Sequence, residues 1–191
     1  MARIYGIKKR MAGYGFDEKR IKEIIGNGDL VDVIARMETL LEPGMMHEIL
    51  DSCACLGGQK YLDQCKKTGK ELAGKSLEEK IDHLNSHVFF SERIALNGNN
   101  LLTGAFSFPD NEGYRCVCSA AVKKGATVAD LTGDAEGRDM PLAYCICCAG
   151  SFRRHLQLQL GVELRTKEII SSPINSRGEK PCEFVLEIVN A

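Results

Sequence analysis

The hydrophobic period of this chain changes near Ser91, and that change restricts the fold more than any other feature of the sequence. Up to about residue 90 the apolar residues recur every three or four positions, the pattern of helices that bury one stripe. Leu30, Val33, Ile34, Met37, Leu40 and Leu41 form such a stripe. Asp17 stands where an N-cap is needed ahead of Ile21, Ile24 and Ile25, and Gly26 stands where that helix should stop. Asp29 opens the Leu30 stripe, and Pro43 suits the first turn of the helix after it. Ser76 and Glu79 have the spacing of a capping box ahead of Leu77, Ile81, Leu84 and Val88. A further helix is expected from Gln59.

Beyond residue 91 the pattern turns to alternation, which places successive side chains on opposite faces of a strand. Leu101 to Phe108 and Tyr114 to Val122 flank a five-residue turn and predict an antiparallel hairpin. Glu163 to Ser171 and Cys182 to Val189 predict a second one. Between the hairpins, Gly125 to Met140 reads as loop and Pro141 to Leu160 as helix. The expected fold class is α+β: a helical region over 1–90, then a cysteine-rich α+β domain over 91–191 whose two hairpins form an antiparallel sheet packed against helices.

With 44% hydrophobic and 27% charged residues the chain has a globular composition, and its net charge of −1 offers no field for DNA, RNA or an anionic membrane. The basic run Lys8, Lys9 and Arg10 reads as a solvated segment. Tryptophan is absent and aromatics make up 6% of the chain, which argues against a base-stacking surface. Met1 to Phe16 lacks the apolar core of a secretory signal, and Pro141 to Phe152 is too short to span a bilayer, which takes about 20 residues. The expectation is a soluble cytoplasmic protein with no nucleic-acid or membrane partner. In that compartment thiols stay reduced, so a disulfide framework is not expected.

Against that background the nine cysteines stand out. Six form Cys-x-Cys pairs: Cys53/Cys55, Cys116/Cys118 and Cys145/Cys147. Cys148 extends the third pair, Cys182 lies near the C-terminus, and Cys65 lies alone beside Tyr61 and Leu62, where it reads as packing. On a strand, Cys116 and Cys118 would share a face. On the helix from Pro141, Cys145 and Cys148 would lie side by side with Cys147 turned away, close to a helix N-terminus that favours thiolates. Cys53 and Cys55 precede Gly57-Gly58 and the Gln59 helix, which suggests the same advantage. Cys182 shares a face with Phe184, Leu186 and Ile188 and is expected to point inward. His83 and His87 have a two-ligand helical spacing without the adjacent glutamate of a zinc protease, and read as helix-surface residues. Arg153 and Arg154 read as solvent-facing.

The segment from Gly178 through Cys182 to Phe184, closing a hairpin after a helix that ends near Leu160-Gly161, is similar to the tail of two related groups. These are the 4-vinyl-reductase-type small-molecule-binding domains and the bacterial aminothiazoline-carboxylate hydrolase family. With Cys145, Cys147 and Cys148 upstream, the chain resembles a cysteine-rich bacterial family near these groups, over its C-terminal third. The resemblance implies helices against an antiparallel sheet and a pocket for a small organic molecule or a metal. It carries over Cys182, with Gly178 as the turn residue before it, while Glu179 stands where those families often have Asp. An activity is not transferred on fold-level likeness.

Three functional readings follow. The first is a metal site of cysteine thiolates, holding zinc or alternatively an iron–sulfur cluster, with Cys116, Cys118, Cys145, Cys148 and Cys182 as ligands and Cys53 and Cys55 as additional candidates. The iron–sulfur spacings are not matched, which puts zinc first. The second is a thiol-dependent enzyme, a small-molecule hydrolase or redox protein, which requires a depressed thiol pKa at Cys53, Cys55 or Cys145. The third treats the cysteines as small buried apolar groups. Only a small-molecule ligand remains as an expected partner.

Overall fold

A computed structural model describes residues 2–54, 58–86, 94–98, 100–106, 109–110, 113–116, 118 and 140–190. The first half is helical: α1 Ala2–Gly13, α2 Glu18–Ile25, α3 Leu30–Leu40, α4 Pro43–Ser52, α5 Gln59–Glu71 and α6 Leu77–Ser86. The capping signals read for α2, α3 and α6 are satisfied atom by atom. The Asp17 carboxylate accepts from Arg20 N at 2.7 Å and the Asp29 carboxylate from Asp32 N at 3.1 Å. Ser76 N donates to Glu79 Oε2 at 2.7 Å while Glu79 N donates to Ser76 Oγ at 3.2 Å, the reciprocal pair of a capping box. Gly26 ends α2 at φ 53°, a backbone angle that suits glycine. The basic run Lys8, Lys9 and Arg10 is exposed, as expected.

The second half supplies β1 Ala95–Asn97, β2 Leu101–Phe106, β3 Pro109–Asp110, β4 Gly113–Tyr114, a 3-10 turn Leu142–Cys145, α7 Ile146–Leu160, β5 Glu163–Ser171 and β6 Cys182–Asn190. Among the described residues the main sheet has four antiparallel strands in the order β1-β2-β6-β5. The fold is therefore α+β with a helical N-terminal half.

One hairpin forms as predicted, between β5 and β6. The other is a correction: β2 pairs with β1 and β6, and does not pair with a strand beginning at Tyr114. The turn residues instead close a two-residue ribbon, Asp110 opposite Gly113. Tyr114 N then bonds to Gly178 O at 2.8 Å, which ties this chain segment to the β5–β6 connection. Arg115, Cys116 and Cys118 consequently lie outside any strand. The physical reason is burial: pairing with β6 puts Leu102 opposite Leu186, in one core with Phe184. A local hairpin would have left that face of β6 unpartnered.

Helix α7 is the organising element, packed against α4, α5, α6 and β5. Two hydrophobic clusters flank it, and each draws on both halves of the chain. One joins Ile7, Met11, Ile34, Met37, Ile49 and Leu50 to Cys116, Tyr144, Cys145 and Ile146. The other joins Leu72, Ile81 and Leu84 to Leu102, Leu156, Leu160, Phe184 and Leu186. Gly161 ends α7 in the left-handed conformation at φ 70°, with its N–H on Gln157 O.

Candidate functional site: a buried thiol cluster

The cysteines meet where the end of α4, the 3-10 turn, the start of α7 and the start of β6 come together. Cys145 closes the 3-10 turn and caps α7, at 3% exposure. Its thiol is bonded to the Ser172 side chain and lies within electrostatic range of Cys116, Cys118 and Cys147. Cys182, the first residue of β6, senses Cys145, Cys116 and Cys118 in turn. Four thiols from three separate chain segments therefore share one buried neighbourhood. Cys148 adds a fifth, hydrogen-bonded to Cys118 and Cys147. Tyr144 stands beside them, its hydroxyl 3.0 Å from Cys118 Sγ.

Cys116 and Cys118 reach this cluster from an irregular segment and not from the face of a strand. Cys147 also departs from expectation. It is 2% exposed and its Sγ bonds the Cys53 carbonyl at 3.5 Å. Cys145 belongs to a 3-10 turn, about three residues per turn, so the helical phase between Cys145 and Cys148 is not that of a continuous α-helix. Cys65 is fully buried on α5, in the packing position expected of it. Cys55 and His87 lie outside the described residues.

Every thiol that leaves its ordinary range is pushed up. Burial raises Cys116 to about 11 and Cys145 to about 12. Cys182 is raised well above its usual value, first by burial and then by its cysteine neighbours. Cys148 is raised by its hydrogen bonds to Cys118 and Cys147, then by burial. Cys53 follows the same direction, with burial first. The expected help from helix N-termini does not prevail. For Cys145 the dipole contributes about 0.3–1 kcal/mol, less than burial removes. For Cys53 the geometry is reversed: it caps the C-terminus of α4, where the dipole opposes a thiolate.

The cluster also contains a cation that the sequence pattern did not single out. Arg3 lies on the buried face of α1 with Ile7 and Met11, four and eight residues on. Its Nη1 donates to the Cys53 carbonyl at 2.7 Å, and its guanidinium lies 5.4 Å from the centre of the Tyr144 ring. The available signal was an arginine in register with the apolar stripe of an N-terminal helix.

Arg153 and Asp51 form a second polar feature between α7 and α4. Arg153 Nη2 bonds Asp51 Oδ2 at 2.6 Å, and Thr166 Oγ1 bonds Asp51 Oδ1 at 3.3 Å. Arg153 is thus an internal ion-pair partner and not the solvent-facing residue expected, whereas Arg154 is exposed. A solvent-open groove of about 320 Å³ runs past His47, Glu48, Asp51, Arg153, Arg165 and Thr166. His155 is buried with its ring edge-to-face on Tyr61, 4.7 Å between centroids.

Among the described residues, no three His, Cys, Asp or Glu side chains are already disposed to hold a metal ion. The thiols are turned instead toward one another, toward Tyr144 and toward Ser172. No helix among the described residues is long and apolar enough to cross a membrane. Comparison with protein-family models, curated proteins and solved structures returns no match.

Proposed function

We propose that the protein binds a thiophilic metal through the cluster, zinc first and an iron–sulfur cluster as the alternative, with Cys116, Cys118, Cys145, Cys148 and Cys182 supplying the thiolates. The observation that carries this reading is the convergence of Cys116, Cys118, Cys145 and Cys182 from three segments into one buried neighbourhood. Packing alone gives no reason to gather so many thiols. A soft ion that prefers sulfur does. The raised pKa values are compatible with such a site, because a bound zinc ion removes the thiol proton outright. A zinc ion there would be held by these cysteines as thiolates, with the Ser172 hydroxyl beside Cys145 able to donate to the sulfur in that form. The groove beside Asp51 would take a small polar ligand.

The raised thiols weigh against a cysteine nucleophile at neutral pH, which needs a lowered pKa. A redox reading has one specific support, the Cys118–Cys148 hydrogen bond, since oxidation by a peroxide would join these sulfurs with release of water. Anaerobic purification followed by metal analysis and a visible spectrum tests the main reading. Bound metal that is lost in Cys116→Ser or Cys148→Ser is the expected result. A metal-free protein that takes up neither zinc nor iron overturns it. A Cys118–Cys148 disulfide formed by stoichiometric peroxide would then favour the redox role.

A further inference from the structure

Arg3, Gly6 and Arg10 stand along one stripe of α1, at the spacing of neighbouring helical turns. Arg3 is buried, at 8% exposure, whereas Arg10 is exposed. The Cys53 carbonyl takes Arg3 Nη1 at 2.7 Å. Nε and Nη2 are buried without a hydrogen-bond partner, and these two nitrogens are the side-on fork of a guanidinium, whose parallel N–H bonds meet two oxygens of one oxyanion. A buried donor pair of this kind calls for an acceptor. Among the described residues neither Arg3 nor Arg10 pairs with a carboxylate. The charges of both reach the Cys53 thiol, which places Arg10 on the side of α1 where Arg3 is anchored. Gly6 keeps the space between them open, since a Cβ there would meet only Cys53 Sγ outside its own helix, at 4.0 Å.

We propose that Arg3 and Arg10 form a receptor for the phosphate group of a small phosphate monoester, seated over Gly6 beside Cys53. The Arg3 fork gives two parallel hydrogen bonds to one pair of phosphate oxygens, and Arg10 adds a charged contact from the exposed end. Charge selects phosphate over carboxylate. A phosphate monoester carries about −1.5 to −2 near neutral pH, which matches two guanidiniums, whereas a carboxylate supplies a single charge. The fork is closed to solvent, so a seated phosphate takes the place of packing that now covers Nε and Nη2. Exclusion of water strengthens the attraction at that end. The organic part of the ester is left on the Arg10 side, where α1 is exposed. No thiol loses a proton in this binding, and the receptor stands whether or not the cysteines hold a metal.

The test titrates the full, reduced chain with methyl phosphate, inorganic phosphate and acetate at matched ionic strength, read by calorimetry and by the rise in melting midpoint. Methyl phosphate should bind saturably at one site, at least as tightly as inorganic phosphate, and acetate should bind more weakly. Arg3→Met should weaken methyl phosphate about 10- to 100-fold, the scale of hydrogen bonds to a charged group. Arg10→Gln, at an exposed position, should weaken it about two- to fivefold. Gly6→Leu should fill the space between the arginines and abolish binding while both charges remain. If Arg3→Met does not fold, the other two variants decide. Unchanged affinity in Arg10→Gln and Gly6→Leu, or in a folded Arg3→Met, overturns the receptor. So does a wild-type chain that binds neither phosphate saturably. Binding of inorganic phosphate without methyl phosphate overturns the monoester assignment, and acetate as tight as methyl phosphate overturns the selection by charge.

Discussion

Asp51 shows how closely the polar residues around α7 are matched. Its carboxylate takes one hydrogen bond from Arg153 and one from Thr166, joining α4 to α7 and β5. Both members of the ion pair are 21% exposed, so the pair is neither a free surface contact nor a fully desolvated one. Gly150 leaves the room, since a Cβ there would stand 2.7 Å from Asp51 Oδ1 and 3.1 Å from the Ala54 Cβ. Asp51→Ala would strip Arg153 and Thr166 of an acceptor together. It should lower stability by about 1–3 kcal/mol, between the values for exposed and buried pairs. Asp51→Asn, which keeps an acceptor oxygen but not the charge, should lose less. Urea unfolding of the two variants checks the order. Equal losses would mean that the space, and not the hydrogen bonding, is what matters at this position.

At the scale of elements, the contact between α5 and α7 is set by a glycine. A Cβ on Gly69 would overlap the carbonyl oxygen of Leu158, a backbone atom of α7 that cannot rotate away. An alanine in an exposed helix interior would normally gain about 1 kcal/mol over glycine. Here Gly69→Ala must push α5 off α7 and loosen the fit around Leu72 and Leu160, so the helix gain is outweighed by an overpacking cost of about 1–3 kcal/mol. Thermal unfolding should show a lower midpoint for Gly69→Ala; a higher one would mean that the two helices separate without penalty. Elements of this kind differ in how visible they are in the sequence. Asp17, Asp29 and the Ser76–Glu79 box act on groups within three residues of themselves, and the helices they start are all legible. The β5–β6 hairpin is legible for the same reason. The pairing of β2 with β6 joins Leu102 to Leu186 across most of the second half of the chain, and no local signal competes with the turn residues at 109–113. The candidate site divides in the same way. That Cys182 points inward with Phe184 follows from alternation. That Cys147 and Arg3 meet at the Cys53 carbonyl follows from packing among α1, α4 and α7, which no spacing encodes.

For the whole molecule, the buried thiols couple stability to pH, and the sign differs between the metal-free and metal-bound protein. In the unfolded chain a cysteine titrates near its ordinary value of 9.0, whereas in the folded chain Cys116 does so at about 11 and Cys145 at about 12. Between those limits the folded state holds more protons than the unfolded one, so stability falls as pH rises. Below pH 9 the contribution is fully present, and it is lost as pH climbs through the folded values. A tenfold difference in proton affinity between the two states corresponds to about 1.4 kcal/mol, so the loss amounts to several kcal/mol, a large part of a total that is about 5–15 kcal/mol for an ordinary domain. Denaturant unfolding of the metal-free, fully reduced protein at pH 8, 9, 10 and 11 should therefore show a falling midpoint, and Cys145→Ser, which removes one of the raised thiols, should flatten the fall. A midpoint that is level across this range, or a fall identical in Cys145→Ser, would show that the thiols do not titrate as their burial requires. Zinc would reverse the dependence. The bound thiolates have already surrendered their protons, so the folded, loaded protein holds fewer protons than the unfolded chain up to pH 9. Saturating zinc should thus give a midpoint that rises with pH between 7 and 9, over the range where the metal-free protein is flat. A zinc-saturated midpoint that stays flat over that interval would mean that the thiols keep their protons and that sulfur does not hold the metal.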